Sequence, residues 1–389
     1  MEPQHKVYIA NTVTGQIVMD APFVGVPRYD TRLNSAGGLT VTVPLGDNGA
    51  MPKELMEEFA NSWRWTWLYC YGSYIFQAGI AVTDRFVDND GPGTADVGCG
   101  GLLHLFSNKR LVINKDWLEG QNVASPVADL SYNNLTLRTI AKRMIENDLD
   151  RPGHDLPIVL PPDDPPDTHQ RNYYGYDLAS VGERLLQLTQ VINGPEIEFR
   201  PRFVDPETKL YMQWEMRIGN PRLGMLSGMH QWDYGSALSH LDYDRDGSQQ
   251  SMAHFQKGAG SERALWVSYQ DDKSLSQLSG YPYPELETVG TDTTSVEDGF
   301  VLQERADGYV ATHGKAIVTW DATVRIDGTD GQGRQTVSPT VDLINLGDTG
   351  MFQVTNHRRI LDGNYPRRII GLTNGPDRMS TRLVLSPTA

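Results

Sequence analysis

Apolar and polar residues alternate with a period of two in many parts of the chain, which is the pattern of half-buried β-strands. The clearest run is Leu39-Thr40-Val41-Thr42-Val43. Near the start, two strand-like runs, 6–10 and 16–20, flank a five-residue loop that contains Gly15, and this spacing predicts a hairpin. Further strands are predicted over 196–202, 210–218, a sheet region at 250–270, 316–320, 323–326, 352–356, 367–372 and 382–385.

A repeat of about 3.6 residues predicts helices in four places. A short helix follows Pro52, which suits a first helical turn. Two longer helices are predicted over 133–149, with an asparagine near its start, and over 177–192, whose first residue is an aspartate and the predicted N-cap. A fourth is expected to start near Thr294, which forms a capping box with Glu297.

A proline-rich run, Leu160-Pro161-Pro162-Asp163-Asp164-Pro165-Pro166-Asp167, lies between the two longer helices. Proline lacks the backbone N–H group that a sheet ladder or a helix interior needs. The run therefore predicts a stiff, exposed loop that spans a gap, although it could also contact a partner.

Aromatic residues occupy every second position of one run: Trp63, Trp65, Trp67, Tyr69 and Tyr71. A strand would place all five on one face, and the two-residue Gly72-Ser73 loop leads into a second strand over 74–82. The stripe has two interpretations. It packs the core of a barrel or sandwich or a subunit interface, or it forms a flat platform on which sugars stack.

Length and composition indicate a multi-domain β-rich protein. The chain has 389 residues with 38 glycines and 23 prolines, which suits many short strands joined by tight turns. Four regions are predicted: an N-terminal barrel-like β domain (1–118), an α+β region with two helices and the proline-rich loop (119–200), a β region that completes the core (201–290) and a C-terminal β domain with one leading helix (291–389).

The chain is acidic, with 34 Lys and Arg against 49 Asp and Glu and a formal net charge of −15. This charge argues against strong binding of nucleic acid. The first twenty residues do not resemble a signal peptide, and no apolar run is long enough for a membrane span, so a soluble protein is expected. Cys70 and Cys99 are predicted to be free thiols, and a disulfide between them is the alternative.

Motifs that carry chemistry are sparse. Asp242-Tyr243-Asp244-Arg245-Asp246-Gly247 matches the first half of a calcium loop, but Ala253 stands where the last, bidentate carboxylate would be needed. A tight turn between two strands is the expected alternative. The nine histidines are scattered without metal-ligand spacing, and no nucleophile or phosphate-binding motif is present. The sequence thus predicts no catalytic residue, no metal and no cofactor, although it leaves a glycosidase-type carboxylate pair open.

Several of these segments together resemble the minor tail proteins of long-tailed actinobacterial phages and, more distantly, baseplate hub proteins. The segments are the Val7-Tyr8-Ile9-Ala10 strand, the run 29–34 before 37–45, the aromatic hairpin at 63–82, the stretch 241–260 with its Asp-Gly turn and Gly258-Ala259-Gly260, and Leu346-Gly347-Asp348 before paired strands. This resemblance covers most of the chain and rests on pattern.

The resemblance implies a β-rich α+β, multi-domain, hub-like fold with two barrel-like β domains and a smaller α+β region. It also implies a non-enzymatic homotrimer at the virion tail tip, assembled in the host cytoplasm. This ring would continue the tail tube, contact the distal tail protein, the tape measure protein and other minor tail proteins, and let DNA pass. The alternative is a tail-associated carbohydrate-binding or cell-wall-degrading protein that uses the aromatic strand.

Overall fold

The computed structural model describes residues 4–46, 50–86, 93–225, 230–291, 296–328 and 337–387. Within these ranges the helices are α1 (Lys53–Phe59), α2 (Leu102–Asn108), α3 (Leu137–Leu149), α4 (Val181–Thr189) and α5 (Gly299–His313). The strands are β1 (His5–Asn11), β2 (Ile17–Ala21), β3 (Val24–Arg32), β4 (Gly38–Pro44), β5 (Trp65–Tyr71), β6 (Tyr74–Phe86), β7 (Thr94–Gly100), β8 (Leu130–Leu135), β9 (Ile158–Val159), β10 (His169–Tyr173), β11 (Ile197–Phe203), β12 (Met212–Ile218), β13 (His230–Asp233), β14 (Leu238–Asp246), β15 (Ala253–Lys257), β16 (Val267–Asp271), β17 (Glu287–Gly290), β18 (Ile317–Arg325), β19 (Thr349–Val354), β20 (Gly363–Asn374) and β21 (Ser380–Pro387).

A large sheet joins the two ends of the chain. Its strands run in the order β14-β18-β21-β20-β3-β4-β7-β6-β5-β1-β2, with β19 added to β20 and β13 added to β19. The link between N-terminal and C-terminal strands is the antiparallel pairing of β20 with β3, where Gly371 lies opposite Arg32 and Thr373 opposite Asp30. Strands more than three hundred residues apart in the sequence therefore share one hydrogen-bonded ladder.

Residues that alternate between apolar and polar in the sequence alternate between buried and partly buried positions in the strands. In β4 every second residue is buried, and β12 shows the same pattern over its seven residues. One core is formed by side chains of β1, β3–β7, β13, β14, β18–β21 and α1, and Trp67, Trp232 and Trp320 are its largest fully buried members. Apolar burial of this kind is the main favourable contribution to folding. The predicted N-terminal hairpin and the strands at 39–43, 196–202 and 210–218 are confirmed.

A second core lies between the opposite side of the β5–β6 hairpin, the helices α2, α3 and α4 and the β11–β12 hairpin. Leu137, Ile140, Ala141, Met144 and Ile145 of α3 are buried there, which is the stripe of a helix with one apolar face. The predicted helix over 133–149 starts four residues later than expected. Residues 130–135 form β8 instead, which pairs with β10, and the side chain of Thr136 caps the helix by accepting from the Thr139 N–H group.

The start of the next helix also differs from the prediction. Its N-cap is Ser180, whose hydroxyl accepts from the Glu183 N–H group at 3.1 Å, and not Asp177. Asp177 ends a short 3₁₀ turn, and Leu178 follows with a φ of 47°, which no helical residue adopts. Leu178 therefore lies outside α4, and its side chain is 51% exposed.

The helix expected near Thr294 begins at Gly299, and its N-cap is Asp298, whose carboxylate accepts from the Phe300 and Val301 N–H groups. Thr294, the predicted cap, lies outside the described residues. In the C-terminal part, the two strands predicted at 316–320 and 323–326 are one strand, β18, paired with β14 on one side and β21 on the other.

The proline-rich loop is mostly exposed, as predicted, and it is also tied to α3. Arg138 forms an ion pair with Asp164, Arg143 forms one with Asp163, and the ammonium group of Lys142 lies 3.1 Å from Asp163. Side-chain hydrogen bonds from Lys142, together with its charge and that of Arg143, lower the pKa of Asp163 against the effect of desolvation. The loop is therefore docked on the helix by charge.

The protein is β-rich, as expected. The path of strand pairing in the large sheet ends at β14 and at β2, and no closed barrel is found among the described strands. The two barrel-like domains, and the domain limits at 118, 200 and 290, stay predictions. Cys70 and Cys99 are both free and buried, so the prediction of two free thiols is confirmed. In the described part of the chain, no helix has both the length and the apolar character that crossing a membrane requires.

Candidate interaction surfaces

The aromatic stripe lies on and beside β5, in the middle of the protein. Trp65, Trp67 and Tyr69 are 8%, 0% and 1% exposed and belong to the first core. Tyr71, partly buried, packs against the same core and donates a hydrogen bond to Asp327 at 2.8 Å. Because these aromatic side chains are packed in the core, they could stack on a sugar only by leaving it. The structure therefore favours the packing interpretation, and the carbohydrate alternative stays a prediction without a supporting surface.

Trp63 departs from the predicted stripe. It precedes β5 with a φ of 69°, so the alternation of a strand does not extend to it. Its ring stacks on His104 at a centroid distance of 5.7 Å, the Lys109 ammonium group lies 5.2 Å from its centroid, and it packs against the second core. The prediction that all five aromatics share one face is wrong for Trp63, because the left-handed backbone turns its side chain to the other side.

His5 is enclosed by the aromatic rings of the stripe and its neighbour β6. Its ring lies 4.7 Å from Tyr71 and 5.6 Å from Tyr69 between centroids, and Nδ1 is 2.8 Å from the Tyr69 hydroxyl group. Burial, reinforced by the charge of Arg378, lowers the pKa of His5 to about 4. Burial also raises the pKa of Tyr69, which keeps its hydroxyl group available as a donor.

We expect the free energy of unfolding to fall as the pH is lowered from 6.5 towards about 4. In this window His5 of the unfolded chain takes up a proton while folded His5 stays neutral, so acid favours unfolding. Urea unfolding at a series of pH values measures the slope. The slope should be smaller in His5→Gln, which keeps a hydrogen-bonding side chain but does not titrate. Equal slopes in the two proteins would contradict this prediction.

The calcium-like run does not form the turn that was expected in its place. Asp242 to Asp246 are part of β14, where Asp242 lies opposite Asp321 and Asp246 opposite Ile317 of β18. The turn prediction is wrong because this ladder keeps the run extended, which sends alternate side chains to opposite faces. Among the described residues, no group of three or more His, Cys, Asp or Glu is placed to hold a metal ion.

A cleft of about 1110 Å³ is lined by α5, β15, β17 and the segment after α4. The rings of His254, Tyr309 and His313 stack in it, with centroid distances of 3.9 Å and 4.2 Å. The two ring nitrogens of His254 lie 2.9 Å from Thr288 Oγ1 and 3.0 Å from Gln256 Oε1. The hydrogen-bonding capacity of His254 is therefore used within the protein, and the stack anchors α5 to the small sheet.

The small sheet has the strand order β16-β15-β17. It turns its polar face, not its apolar face, towards the helix that covers it. The face towards α5 is polar. His254 stacks on Tyr309, the Ser268 hydroxyl donates to the Gly299 carbonyl at 3.3 Å, and Gln303 donates to Gln270 at 3.5 Å. A sheet covered by a helix normally turns its apolar face to that helix. Here the apolar residues are on the opposite side.

We name this opposite side the outer sheet face: Phe255, Val267, Tyr269 and Val289. Phe255 lies opposite Tyr269 in the ladder with β16 and opposite Val289 in the ladder with β17, so the three share one face. Val267, Tyr269 and Val289 are 47%, 41% and 51% exposed. The sequence predicted strands at 250–270 but not β17, and the face cannot be recognised without it.

A second exposed apolar group, the hairpin end, consists of Val18, Val204, Leu210 and Tyr211. The Val204 N–H group donates to the Tyr211 carbonyl at 2.9 Å, which closes the β11–β12 hairpin. The Ile17 N–H group donates to the Leu210 carbonyl at 2.9 Å and brings β2 against this end. Exposure ranges from 44% for Tyr211 to 60% for Leu210.

Comparisons with known proteins identify the class of fold. No family model matches the chain, and no curated protein matches it. The chain is similar to the solved 43 kDa tail protein of prophage MuSo2 from Shewanella oneidensis, with a TM-score of 0.55, 12% identity, and coverage of 99% of this chain and 98% of that one. It is also similar to a tail protein from Neisseria meningitidis MC58, with a TM-score of 0.52, 13% identity, and coverage of 98% and 96%.

Both alignments run over nearly the whole of each chain. The protein therefore has the fold of phage tail proteins, and the resemblance seen in the sequence is confirmed at that level. At 12% and 13% identity the likeness concerns the fold.

Proposed function

We propose that this chain is a structural component of a phage tail tip, a hub or minor tail protein. Three copies form a ring that continues the tail tube and lets the tape measure protein and DNA pass. The observation that carries the proposal is the fold, which is shared with two tail proteins over 99% and 98% of this chain. The role is structural and involves no turnover.

Two properties of the chain support a ring around DNA. The exposed apolar outer sheet face and hairpin end are surfaces of the kind that proteins bury on assembly. The net charge of −15 disfavours adhesion of DNA to the wall, because like charges repel over a Debye length of about 8–10 Å at physiological salt. The partners are the distal tail protein, the tape measure protein and other minor tail proteins.

The location follows from the same proposal. The protein is assembled in the host cytoplasm and stays in the virion at the tail tip. The actinobacterial host that the sequence resemblance implies stays a prediction, as does the absence of enzymatic activity.

Gold-labelled antibody against this chain tests the proposed location. On purified virions of the phage that encodes it, we expect label at the tail tip and none on the capsid. Lysates from a phage with the gene deleted should contain filled heads without functional tails. Label on the head, or normal tails in the deletion, would contradict the proposal.

A further inference from the structure

Three arginines and three aromatic rings lie together where side chains of β14, β18, β20 and the loop 355–362 meet. We name this group the arginine patch: Arg245, Arg359 and Arg367 with Tyr243, Trp320 and Tyr365. Tyr243 lies opposite Trp320 in the β14–β18 ladder, and the ring centroids of Trp320 and Tyr365 are 5.1 Å apart. The three rings therefore adjoin one another.

Each arginine of the patch places its guanidinium group over one of these rings. The guanidinium carbon of Arg359 lies 4.7 Å from the centroid of the Tyr243 ring, and that of Arg245 lies 5.8 Å from the same centroid. The guanidinium carbon of Arg367 lies 4.1 Å from the centroid of Trp320. The attraction between a guanidinium group and a ring face holds the charge in place without neutralising it.

These three positive charges differ from others in the protein by having no carboxylate beside them. In the part of the chain that the structure describes, none of the three arginines forms an ion pair, and Nε of Arg367 is buried without a hydrogen-bond partner. Two other arginines that lie over rings do have such partners. Arg64 pairs with Glu58 at 2.8 Å, and Arg184 pairs with Asp177 at 3.0 Å.

The geometry of β14 explains why the patch stays unpaired. Asp242 lies opposite Asp321, and Tyr243 lies opposite Trp320. Since side chains alternate along a strand, the three aspartates of β14 share the face of Asp321, while Arg245 shares the face of Tyr243. The strand thus separates negative from positive charge and leaves a local basic patch in a chain with a net charge of −15.

His357 fixes the loop that carries Arg359. Its Nε2 atom donates to the Leu241 carbonyl at 2.9 Å, and its Nδ1 atom accepts from the N–H groups of Arg359 at 3.2 Å and Ile360 at 3.0 Å. The Tyr365 hydroxyl donates to a carbonyl of the same loop at 2.8 Å. The loop is therefore tied to β14 and β20, and a surface held in place in this way loses less conformational entropy when it binds.

We propose that the arginine patch binds a short acidic segment of another protein. The planar fork of N–H donors on arginine matches a carboxylate, with which it can form two parallel hydrogen bonds. A segment with two or three carboxylates fits the patch alone. Nucleic acid fits less well, because its closely spaced phosphates would continue past the patch over the aspartates of β14. The proposal does not depend on a ring of three copies.

Fluorescence anisotropy with a fluorescein-labelled hexaglutamate peptide tests the proposal on the full chain at low salt. The wild type should bind the peptide. The double variant Arg245→Gln with Arg359→Gln should bind it about tenfold or more weakly, because two charged donors are lost. Both side chains are exposed, so the fold should be unchanged, and urea unfolding checks this.

The double variant Arg222→Gln with Arg325→Gln is the matched control. It has the same net charge as the patch variant, and both of its side chains are exposed. Arg325 ends β18, whereas Arg245 lies opposite Val318 near the start of that strand. The control should bind the peptide like the wild type.

Three results would overturn the proposal. The wild type could fail to bind the peptide, or the patch variant could bind it no more weakly than the control does. A single-stranded DNA hexanucleotide could also bind more tightly than the peptide and lose that binding in the patch variant. The patch would then be a nucleic-acid site and not a site for an acidic protein segment.

Discussion

Replacing Trp67 with alanine should lower the free energy of unfolding by about 3–5 kcal/mol, the usual cost of removing a large aromatic side chain from a core. Trp67 is 0% exposed and is among the largest fully buried side chains of the protein. Its indole N–H group donates to the Phe59 carbonyl at 3.2 Å, so the truncation also leaves a buried acceptor without that partner. Urea unfolding at one fixed protein concentration measures the loss, because the proposed assembly would make stability depend on concentration.

Trp63→Ala is the matched control for this prediction. Trp63 is only partly buried and stacks on His104 at the edge of the second core, so its loss should destabilise the protein much less. If Trp67→Ala changes stability no more than Trp63→Ala does, the packing role of the stripe is wrong. A platform whose rings bind sugar would produce that result, since exposed rings contribute little to folding.

Replacing Arg368 with methionine should cost about 3–5 kcal/mol, because it leaves a mostly buried carboxylate without its partner. Arg368 pairs through both terminal nitrogens with Glu196, and its side chain is 7% exposed. Its guanidinium also donates to the Gly347 carbonyl at 3.0 Å and to the Leu223 carbonyl at 2.8 Å. Because Arg368 is on β20 and Glu196 precedes β11, the pair ties the large sheet to the helical part of the chain.

The double variant Arg368→Met with Glu196→Gln shows whether the unpaired charge is the cause. Removing both charges should recover part of the stability that Arg368→Met loses, since no ion is then left buried without a partner. Lys115→Met is a further control. Its ion pair with Asp150 is about half-exposed, and its loss should leave unfolding close to that of the wild type. A double variant as unstable as the sum of the two single variants would contradict the explanation.

The sequence predicted most strands and helices because both depend on local periodicity. The alternation over 39–43 predicted a strand with one apolar face, and the 3.6-residue repeat of α3 predicted a helix with one apolar face. Both apolar faces are buried as expected. Periodicity does not say what covers the opposite face. In β5 the intervening residues Thr66, Leu68 and Cys70 are also buried, because a second core lies behind the strand.

Helix starts were less predictable because several residues near each start can serve as a cap. Asp177 and Ser180 both have side chains suited to an N-cap, and the structure uses Ser180. Asp177 instead accepts from Arg184 at 3.0 Å, a contact that depends on the path of the preceding turn. A left-handed residue such as Leu178 has no signal in the sequence, since leucine is not a residue that favours that conformation.

The outer sheet face could not be predicted from the sequence, for a different reason. Phe255, Tyr269 and Val289 come from three segments, and only the strand pairing places them side by side. The polar residues on the helix-facing side of the same sheet made the pattern look like an ordinary half-buried sheet with its apolar face inside. Which face a helix covers is a tertiary property, so alternation alone could not assign it.

Electron microscopy of the purified protein tests the central claim most directly. If this chain forms the wall of a tail tip, averaged particles should show a closed ring with threefold symmetry and an opening along the axis. Particles the size of one 43.4 kDa chain, or a symmetric assembly with a filled centre, would contradict it.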